Sequence, residues 1–378
     1  MRILYFTRDY TPHDHRFLSA LAATPHEITS LRLERRGMQR EDRPLPPEVT
    51  QVIWRGGSQP VEPLGGLALL PDLRRVLREV RPDVVHAGSV QTAALLTALS
   101  GFRPLVTMSW GSDLLKDADR DRRWQWATRY TLSRTAVLVG DCKAVEDKAA
   151  EFGFPRARVV LFPWGVDLQR FHPGEEPELL NRLGWPEDAF ILLSNRAWEP
   201  LYGVDVLVRA FTRAARQEPR LRLLLMGGGS QAGLLRQMIL DAGLLDRVHF
   251  GGHVANSELP RYYRAAHLYL SASHSDGSSV SLMEALGCGR PVLVSDIPGN
   301  LEWIAPGVQG WLFPDGSVDA LEEGMLRAAR LSPDALGAMG RSARALAEAR
   351  ADWGRNFPRL LEAYRLALAV DGREAAHA

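Results

Sequence analysis

Short apolar runs alternate with amphipathic stretches from the first residues onward. RILYFT (2–7), VTQVIW (49–54), DVVHAG (83–88), LVTMSW (105–110) and AVLVGD (136–141) read as strands. Near-continuous apolar character is what strands buried on both faces of a sheet display. Between them, residues 14–23 and LPDLRRVLREV (70–80) carry the spacing of helices with one apolar face. The alternation stops at PWGVDLQRFHPGEEP (163–177), which holds three prolines and two glycines, and then restarts. AFILLSNR (189–196), LRLLLMG (221–227), RVHFGG (247–252), HLYLSAS (267–273) and PVLVSD (291–296) read as a second set of strands with helices between them. Strand–helix alternation predicts a mainly parallel sheet covered on both faces. Two such runs predict an α/β protein of two Rossmann-like domains. Ligands bind these sheets beyond the carboxyl ends of the strands, so two sheets facing across a cleft would share one site. The tail after Pro333 is helical, and Trp353, Phe357, Leu360, Leu361 and Tyr364 fall on one apolar face. The expected division is residues 1–168, residues 169–350, and a C-terminal helix in 351–378 that packs back on the N-terminal domain.

Composition narrows the function more by exclusion than by direction. The chain has 378 residues, 46% of them hydrophobic and 24% charged, enough for two ordinary cores. Its net charge of +1 offers no bulk argument for nucleic acid. Cys142 and Cys288 make neither a disulfide framework nor a metal-ligand spacing, which fits a reducing compartment. MRILYFTRDY has the pattern of a strand rather than of a signal peptide, and no apolar run reaches the ~20 residues of a membrane span. The expectation is a cytoplasmic protein.

The most informative stretch is SDGSSVSLMEALGCGRPVLVSDIPGN (275–300). Small residues allow a ligand to approach the backbone. A helix beginning near Ser279 presents unpaired N–H groups and a positive dipole end, which suit phosphate. Glu284 lies about a turn and a half into that helix, where a carboxylate can accept hydrogen bonds from a vicinal diol such as a ribose. Asp276, before the helix, can accept from sugar hydroxyls. Diphosphate, ribose and hexose together describe a nucleotide-sugar. The competing reading makes Asp276 a helix cap and Glu284 a solvated side chain. A second small-residue loop, DIPGN (296–300), follows one strand later at the same sheet end.

SDGSSVSLMEALGCGRPVLVSDIPGNLEW resembles the signature of retaining glycosyltransferases of family 4, which have the GT-B fold. The family motif is an acid, seven residues and a glutamate, usually Glu-x7-Glu; here it runs from Asp276 to Glu284. PWGVDLQRFHP (163–173), VHFGGHVANSELPRYYRAAHLYLSAS (248–273) and GVQGWLFPDG (307–316) continue the family pattern. The resemblance spans about residues 80–350. It implies that Glu284 holds the nucleotide ribose and Asp276 the donor sugar. Backbone amides of Ser278, Ser279 and Val280 would bind the diphosphate beside Gly277, with Gly299 and Asn300 from the second loop. Val254 would lie by the base. It also implies an Arg and a Lys on the diphosphate in a segment like R-x5-K-G. In RAWEPLYG (196–203) Arg196 is present and Tyr202 stands in place of the Lys. Arg grips phosphate oxygens bidentately, whereas Tyr donates one neutral hydrogen bond.

The N-terminal half departs further from the family. Where Gly-Gly often follows the first strand, this chain has RDYTPHDHRF (8–17), so His13, Asp14, His15 and Arg16 are candidates to line an acceptor or phosphate site. Trp110, in SWGSDLL, replaces a usual His and can stack on a sugar, and Asp113 can hydrogen-bond one. His86 ends a strand in PDVVHAG. Structural roles in a polar loop or a core compete with each of these. The implied activity moves a hexose-type sugar from a nucleoside-diphosphate sugar, UDP ahead of GDP, to a glycan, lipid-linked or small-molecule hydroxyl. The implied mechanism is retaining, metal-independent front-face substitution without a cofactor, because no second acid is placed as a nucleophile. The Asp-x-Asp pairs in KDADRDRR (116–123) fall in a charged helical stretch rather than after a strand, which reads as a solvated helix start. KDADRDRRWQWATRYTLSR (116–134) mixes arginines with Trp124, Trp126 and Tyr130, as a helix lying on an anionic inner membrane face would. Two alternatives stand. One is a non-catalytic nucleotide-sugar or glycan-binding protein. The other is an NAD(P)-dependent oxidoreductase, for which the glycines of LLLMGGGSQAG (223–233) are one residue too widely spaced.

Overall fold

The computed structural model describes residues 1–33, 41, 43–57 and 65–372. The chain divides into two compact units: Met1–Phe162 together with the segment from Phe357 onward, and Pro163–Asn356. Each is built on one all-parallel sheet. The first has seven strands: β1 (Arg2–Thr7), β2 (Glu27–Arg32), β3 (Val49–Gln51), β4 (Val84–Gly88), β5 (Leu105–Met108), β6 (Val137–Gly140) and β7 (Val159–Leu161), in the order β3-β2-β1-β4-β5-β6-β7. The second has six: β8 (Phe190–Ser194), β9 (Leu221–Met226), β10 (Val248–Gly252), β11 (Leu268–Ser271), β12 (Val292–Ser295) and β13 (Gly310–Phe313), in the order β10-β9-β8-β11-β12-β13. Strand order reverses between β1 and β4 in one unit and between β8 and β11 in the other, the point where doubly wound sheets open a ligand crevice.

Burial explains the apolar runs. Along β9, Leu221, Leu223 and Leu225 enter the core on one face of the sheet, while Leu224 and Met226 enter the core on the other. Phe190 and Leu192 of β8 alternate with Ile191 and Leu193 in the same way. Helix Val204–Gln217 covers the first face with Val204, Leu207, Val208 and Phe211.

Five features differ from the pattern-based reading, each for a local reason. Strand β2 is broken in sequence by Thr29 and Ser30, although Ser30 is buried between two partner strands. Strands β7 and β13 are short edge strands of three and four residues. The run VTQVIW is a strand only to Gln51; Val52 still bonds the Ser30 carbonyl, and Trp54 then turns in to donate from Nε1 to the Arg32 carbonyl at 2.7 Å. The tail is three helices, Pro333–Arg350, Trp353–Asn356 and Pro358–Val370. The break holds because Ala351 and Trp353 pair with the backbone of Val166, and Pro358 starts the last helix. Division therefore falls at Phe162/Pro163 and Asn356/Phe357 rather than after 168 and 350. The last helix buries Leu360, Ala363, Tyr364, Ala367 and Leu368 against the first sheet.

Candidate functional site

The reversal point of the second sheet gathers the signature. Arg196 leaves the end of β8 and the loop 272–279 leaves β11. All five residues of β8, a central strand, are buried, so the chain emerges only at the carboxyl end of the strand, with Asn195 and Arg196 at the crevice. The Arg196 guanidinium is largely buried. It donates from one terminal nitrogen to Ser279 Oγ at 2.8 Å and Ser281 Oγ at 2.9 Å, and from the other to Asp276 Oδ2 at 2.6 Å. Its face lies 4.3 Å from the centre of the Tyr202 ring, a cation–π contact. Burial pulls the guanidinium pKa down, but the Asp276 carboxylate and the surrounding tyrosines Tyr202, Tyr269 and Tyr263 together outweigh it and leave Arg196 firmly charged. Tyr202, which supplies no charge of its own, thus serves as a platform for the neighbouring charge.

Around Arg196 the loops pack too closely for side chains. Gly203 sits at φ +57°, and a Cβ there would lie 2.1 Å from the Ala272 carbonyl oxygen. A Cβ on Gly299 would lie 2.2 Å from the Gly277 carbonyl, so the second loop is pressed against the first. Ser278 Oγ is fixed by Trp303 Nε1 at 2.9 Å, and Asn300 spends its amide on the Ser295 carbonyl. Helix Val280–Gly287 begins after Ser279 with no side-chain cap, leaving its first N–H groups without that partner. Glu284, within it, is buried and accepts from the Tyr263 hydroxyl at 2.8 Å. Asp276 is thus no helix cap and Glu284 no solvated side chain. Val254 is half-buried against the core that packs on this helix. Residues outside the motif complete the network. Tyr269 donates to Ser281 Oγ at 2.9 Å, and Asn195 donates to the Tyr263 hydroxyl at 2.8 Å. Tyr263 and Tyr269 look like ordinary core aromatics in sequence; only their position beside an acid helix gives them away.

The glycines of LLLMGGGSQAG serve the same loops. A Cβ on Gly227 would come within 2.8 Å of the Arg196 carbonyl and one on Gly229 within 2.5 Å of the Trp198 carbonyl. Glu199 accepts from Ser230 N–H at 2.9 Å. The cluster packs against the Arg196 loop, which accounts for its composition without a dinucleotide.

In the first unit the candidates are largely committed to structure. His13, Asp14, His15 and Arg16 lie on helix Pro12–Ala22 rather than in a loop. Asp14 is the capping-box partner of Thr11 and also accepts from Tyr5 at 3.0 Å. Its burial pushes the carboxyl pKa up to about 6. His15 Nδ1 is paired with the Tyr10 hydroxyl at 2.7 Å. Asp113 is buried and accepts from Ser109 Oγ and from the backbone N–H groups of Val90, Trp110 and Leu114, tying the loop after β4 to the loop after β5. Neither acid has the setting expected of a sugar ligand. Trp110 is half-buried, tilted over His13 and edge-on to Phe17. His86 is buried in β4, with Nδ1 2.7 Å from the Tyr364 hydroxyl, and burial lowers its pKa to about 3. Among the described residues no group of three or more His, Cys, Asp or Glu is placed to hold a metal ion. Asp119 instead pairs with Lys148 at 2.5 Å.

Comparison with known proteins agrees with this geometry. The model of glycosyl transferases group 1 matches residues 175–345, and that of Glycosyltransferase Family 4 matches residues 13–170. The chain belongs to the group 1, family 4 glycosyltransferases, and its two Rossmann-like units are those of the GT-B class. A D-inositol 3-phosphate glycosyltransferase of Saccharomonospora viridis is 33% identical over 215 residues, 54% of this chain and 49% of that protein. The chain thus spans about half the length of the curated relatives it matches. The solved structure of Anabaena HepE with UDP-glucose superposes with a TM-score of 0.78 at 19% identity, over 96% of this chain and 98% of that one. Sucrose-phosphate synthase from Thermosynechococcus elongatus gives 0.80 at 18% identity, over 98% and 100%. No helix among the described residues is long and apolar enough to cross a membrane.

Proposed function

We propose that the protein transfers a hexose-type sugar from a nucleoside-diphosphate sugar, UDP ahead of GDP, to a hydroxyl acceptor with retention of configuration. The observation that carries this reading is the Arg196–Asp276–Ser279–Ser281 cluster at the reversal of the second sheet, with buried Glu284 one and a half turns along the adjoining helix. HepE was solved with UDP-glucose, which supports a UDP-sugar here. In this reading Arg196 and the amides of Ser278, Ser279 and Val280 balance the charge that grows on the leaving diphosphate. Groups held in place before the reaction pay no reorganisation cost as that charge develops. Asp276 orients the donor sugar and Glu284 holds the ribose. Both are positioned by donors rather than poised as acid and base, so the acceptor proton passes to a diphosphate oxygen in a front-face substitution. No metal or cofactor takes part.

The acceptor is a glycan, a small molecule or a lipid-linked sugar. Helix Arg122–Arg134 supports the last of these. It buries Ala127, Thr128, Thr131 and Leu132 but leaves Trp126 55% exposed, stacked on Tyr130 among Arg122, Arg123 and Arg129. An exposed basic and aromatic face suits the cytoplasmic surface of an anionic membrane.

The test is thermal shift with UDP, GDP, ADP and their sugars in EDTA, followed by transfer assays with the sugar that stabilises most. A ligand that binds only the folded state raises the melting temperature. Expected are a shift with one nucleotide family and transfer that survives the chelator. Stabilisation without transfer or donor hydrolysis would favour a non-catalytic nucleotide-sugar binder. Activity restored only by Mn or Mg would overturn the metal-free mechanism.

A further inference from the structure

Glu284 does not stand alone in its pocket. Tyr263, on helix Leu259–Ala265, is fully buried and belongs to no part of the motif. Its hydroxyl lies 2.8 Å from Glu284 Oε2 and 3.0 Å from the Ser281 carbonyl, and it accepts from Asn195 Nδ2 at 2.8 Å. A phenol has one proton to give, and an ionised carboxylate is the stronger acceptor. With the amide of Asn195 filling a lone pair, that proton points to Glu284. Burial, reinforced by the charge of Glu284, holds the phenol pKa far above its ordinary value, so the hydroxyl remains a donor. Asn195 directly precedes Arg196. One run of hydrogen bonds therefore leads from the end of β8, through Tyr263, to the carboxylate. The Ser281 hydroxyl is bonded to Arg196 and its carbonyl lies 3.0 Å from the Tyr263 hydroxyl, so this residue adjoins both halves of the site.

We propose that Tyr263 is a positioning residue for nucleoside binding: its hydroxyl fixes one oxygen of the Glu284 carboxylate so that the carboxylate meets the vicinal diol of a ribose. The proposal rests on the donor reading of Glu284 given above. A carboxylate that rotates freely pays for its orientation each time a ligand binds, whereas one held by a buried hydroxyl has been oriented by folding. Asn195 fixes the phenol in turn.

The test uses the full chain and the variants Tyr263→Phe, Glu284→Ala and the double variant. Binding is measured by calorimetry with UDP and with 2′,3′-dideoxy-UDP, which lacks the diol. Tyr263→Phe should weaken UDP about tenfold, the scale of one hydrogen bond to a charged group. It should leave the dideoxy analogue within about twofold, which also shows that the variant is folded. The double variant should bind UDP no worse than Glu284→Ala alone, because the phenol acts only through the carboxylate. In transfer assays the donor KM should rise with kcat nearly unchanged. Equal loss for both ligands, additive losses in the double variant, or unchanged UDP affinity would each overturn the proposal. If Glu284→Ala itself binds UDP normally, the ribose assignment fails, and that outcome is read from a different variant.

Discussion

In the second unit, the loops at the strand-order reversal bring Arg196 onto Asp276, two serine hydroxyls and the face of Tyr202. In the first unit, the helix starts that follow β1 and β5 carry Asp14 and Asp113, which are absorbed by a helix cap and by three backbone N–H groups. Both units place acids near the carboxyl ends of parallel strands. What differs is the partner. A carboxylate held by backbone amides is part of the framework, and removing it strands buried donors. Asp276 is held by the Arg196 cation on one oxygen and by a single backbone N–H, that of Gly277, on the other, and a carboxylate so held can exchange the cation for a ligand. Acid residues at the right end of a sheet are therefore not enough to mark a site; their hydrogen-bond partners decide.

The widest separation between the two regions should appear in a crossed pair of variants. Arg196→Ala should lower kcat by ~10²–10³, the loss typical of a preorganised charge-stabilising group, with little change in melting temperature. Asp113→Ala should cost roughly 2–4 kcal/mol of unfolding free energy, since several buried donors lose their acceptor. The rate per folded molecule should be kept. Steady-state kinetics and urea unfolding on both proteins check this. An Arg196→Ala protein retaining more than roughly a tenth of the rate would break the comparison, since that is a barrier change under ~1.4 kcal/mol.

A second difference lies in pH response. His86 titrates near 3 in the folded protein because it is buried, against an ordinary 6.5. The unfolded chain takes the proton first, so stability is full above about 6.5 and falls as pH drops toward 3, by at most ~1.4 kcal/mol per pH unit. Asp14 acts in the opposite sense. Its folded value near 6 lies above the ordinary 3.8, so its contribution weakens as pH rises through that window and partly offsets His86 there. Urea midpoints at pH 7, 6 and 5 should fall slightly on acidification, and His86→Gln should turn the fall into a rise, because Asp14 then acts alone. An unchanged slope in the variant would place the acid sensitivity elsewhere.

The smallest effect has the most telling sign. Asp276→Asn removes the charge that neutralises Arg196 while keeping the shape of the loop. UDP alone should then bind about two- to five-fold more tightly, the range of one partly exposed ion pair, while sugar transfer falls. Weaker UDP binding in the variant would mean that Asp276 only braces the loop.

Much of this was legible in the residue pattern. Continuous apolar runs such as LRLLLMG announce strands buried on both faces, because a parallel sheet leaves no face for polar side chains. Asp276, Glu284 and Arg196 could be singled out as candidates because their chemistry is local: an acid, a small-residue loop and a helix start within a few residues, and one arginine just past a strand. The strands β2, β7 and β13 were not, since a polar buried strand or a short edge strand has no periodicity to read. Partner choice was not legible either. Asp14 and Asp113 share the residue type of Asp276 and, like it, follow a strand closely in sequence. Only folding brings the Val90 amide to Asp113, the Tyr202 ring beneath Arg196, and the Tyr263 hydroxyl to Glu284 across 21 positions of chain. Sequence determines which chemical groups are available and which stretches must be buried. Which group each acid faces is decided by tertiary contacts, because a hydrogen bond depends on ångström-scale placement that residue order alone does not encode.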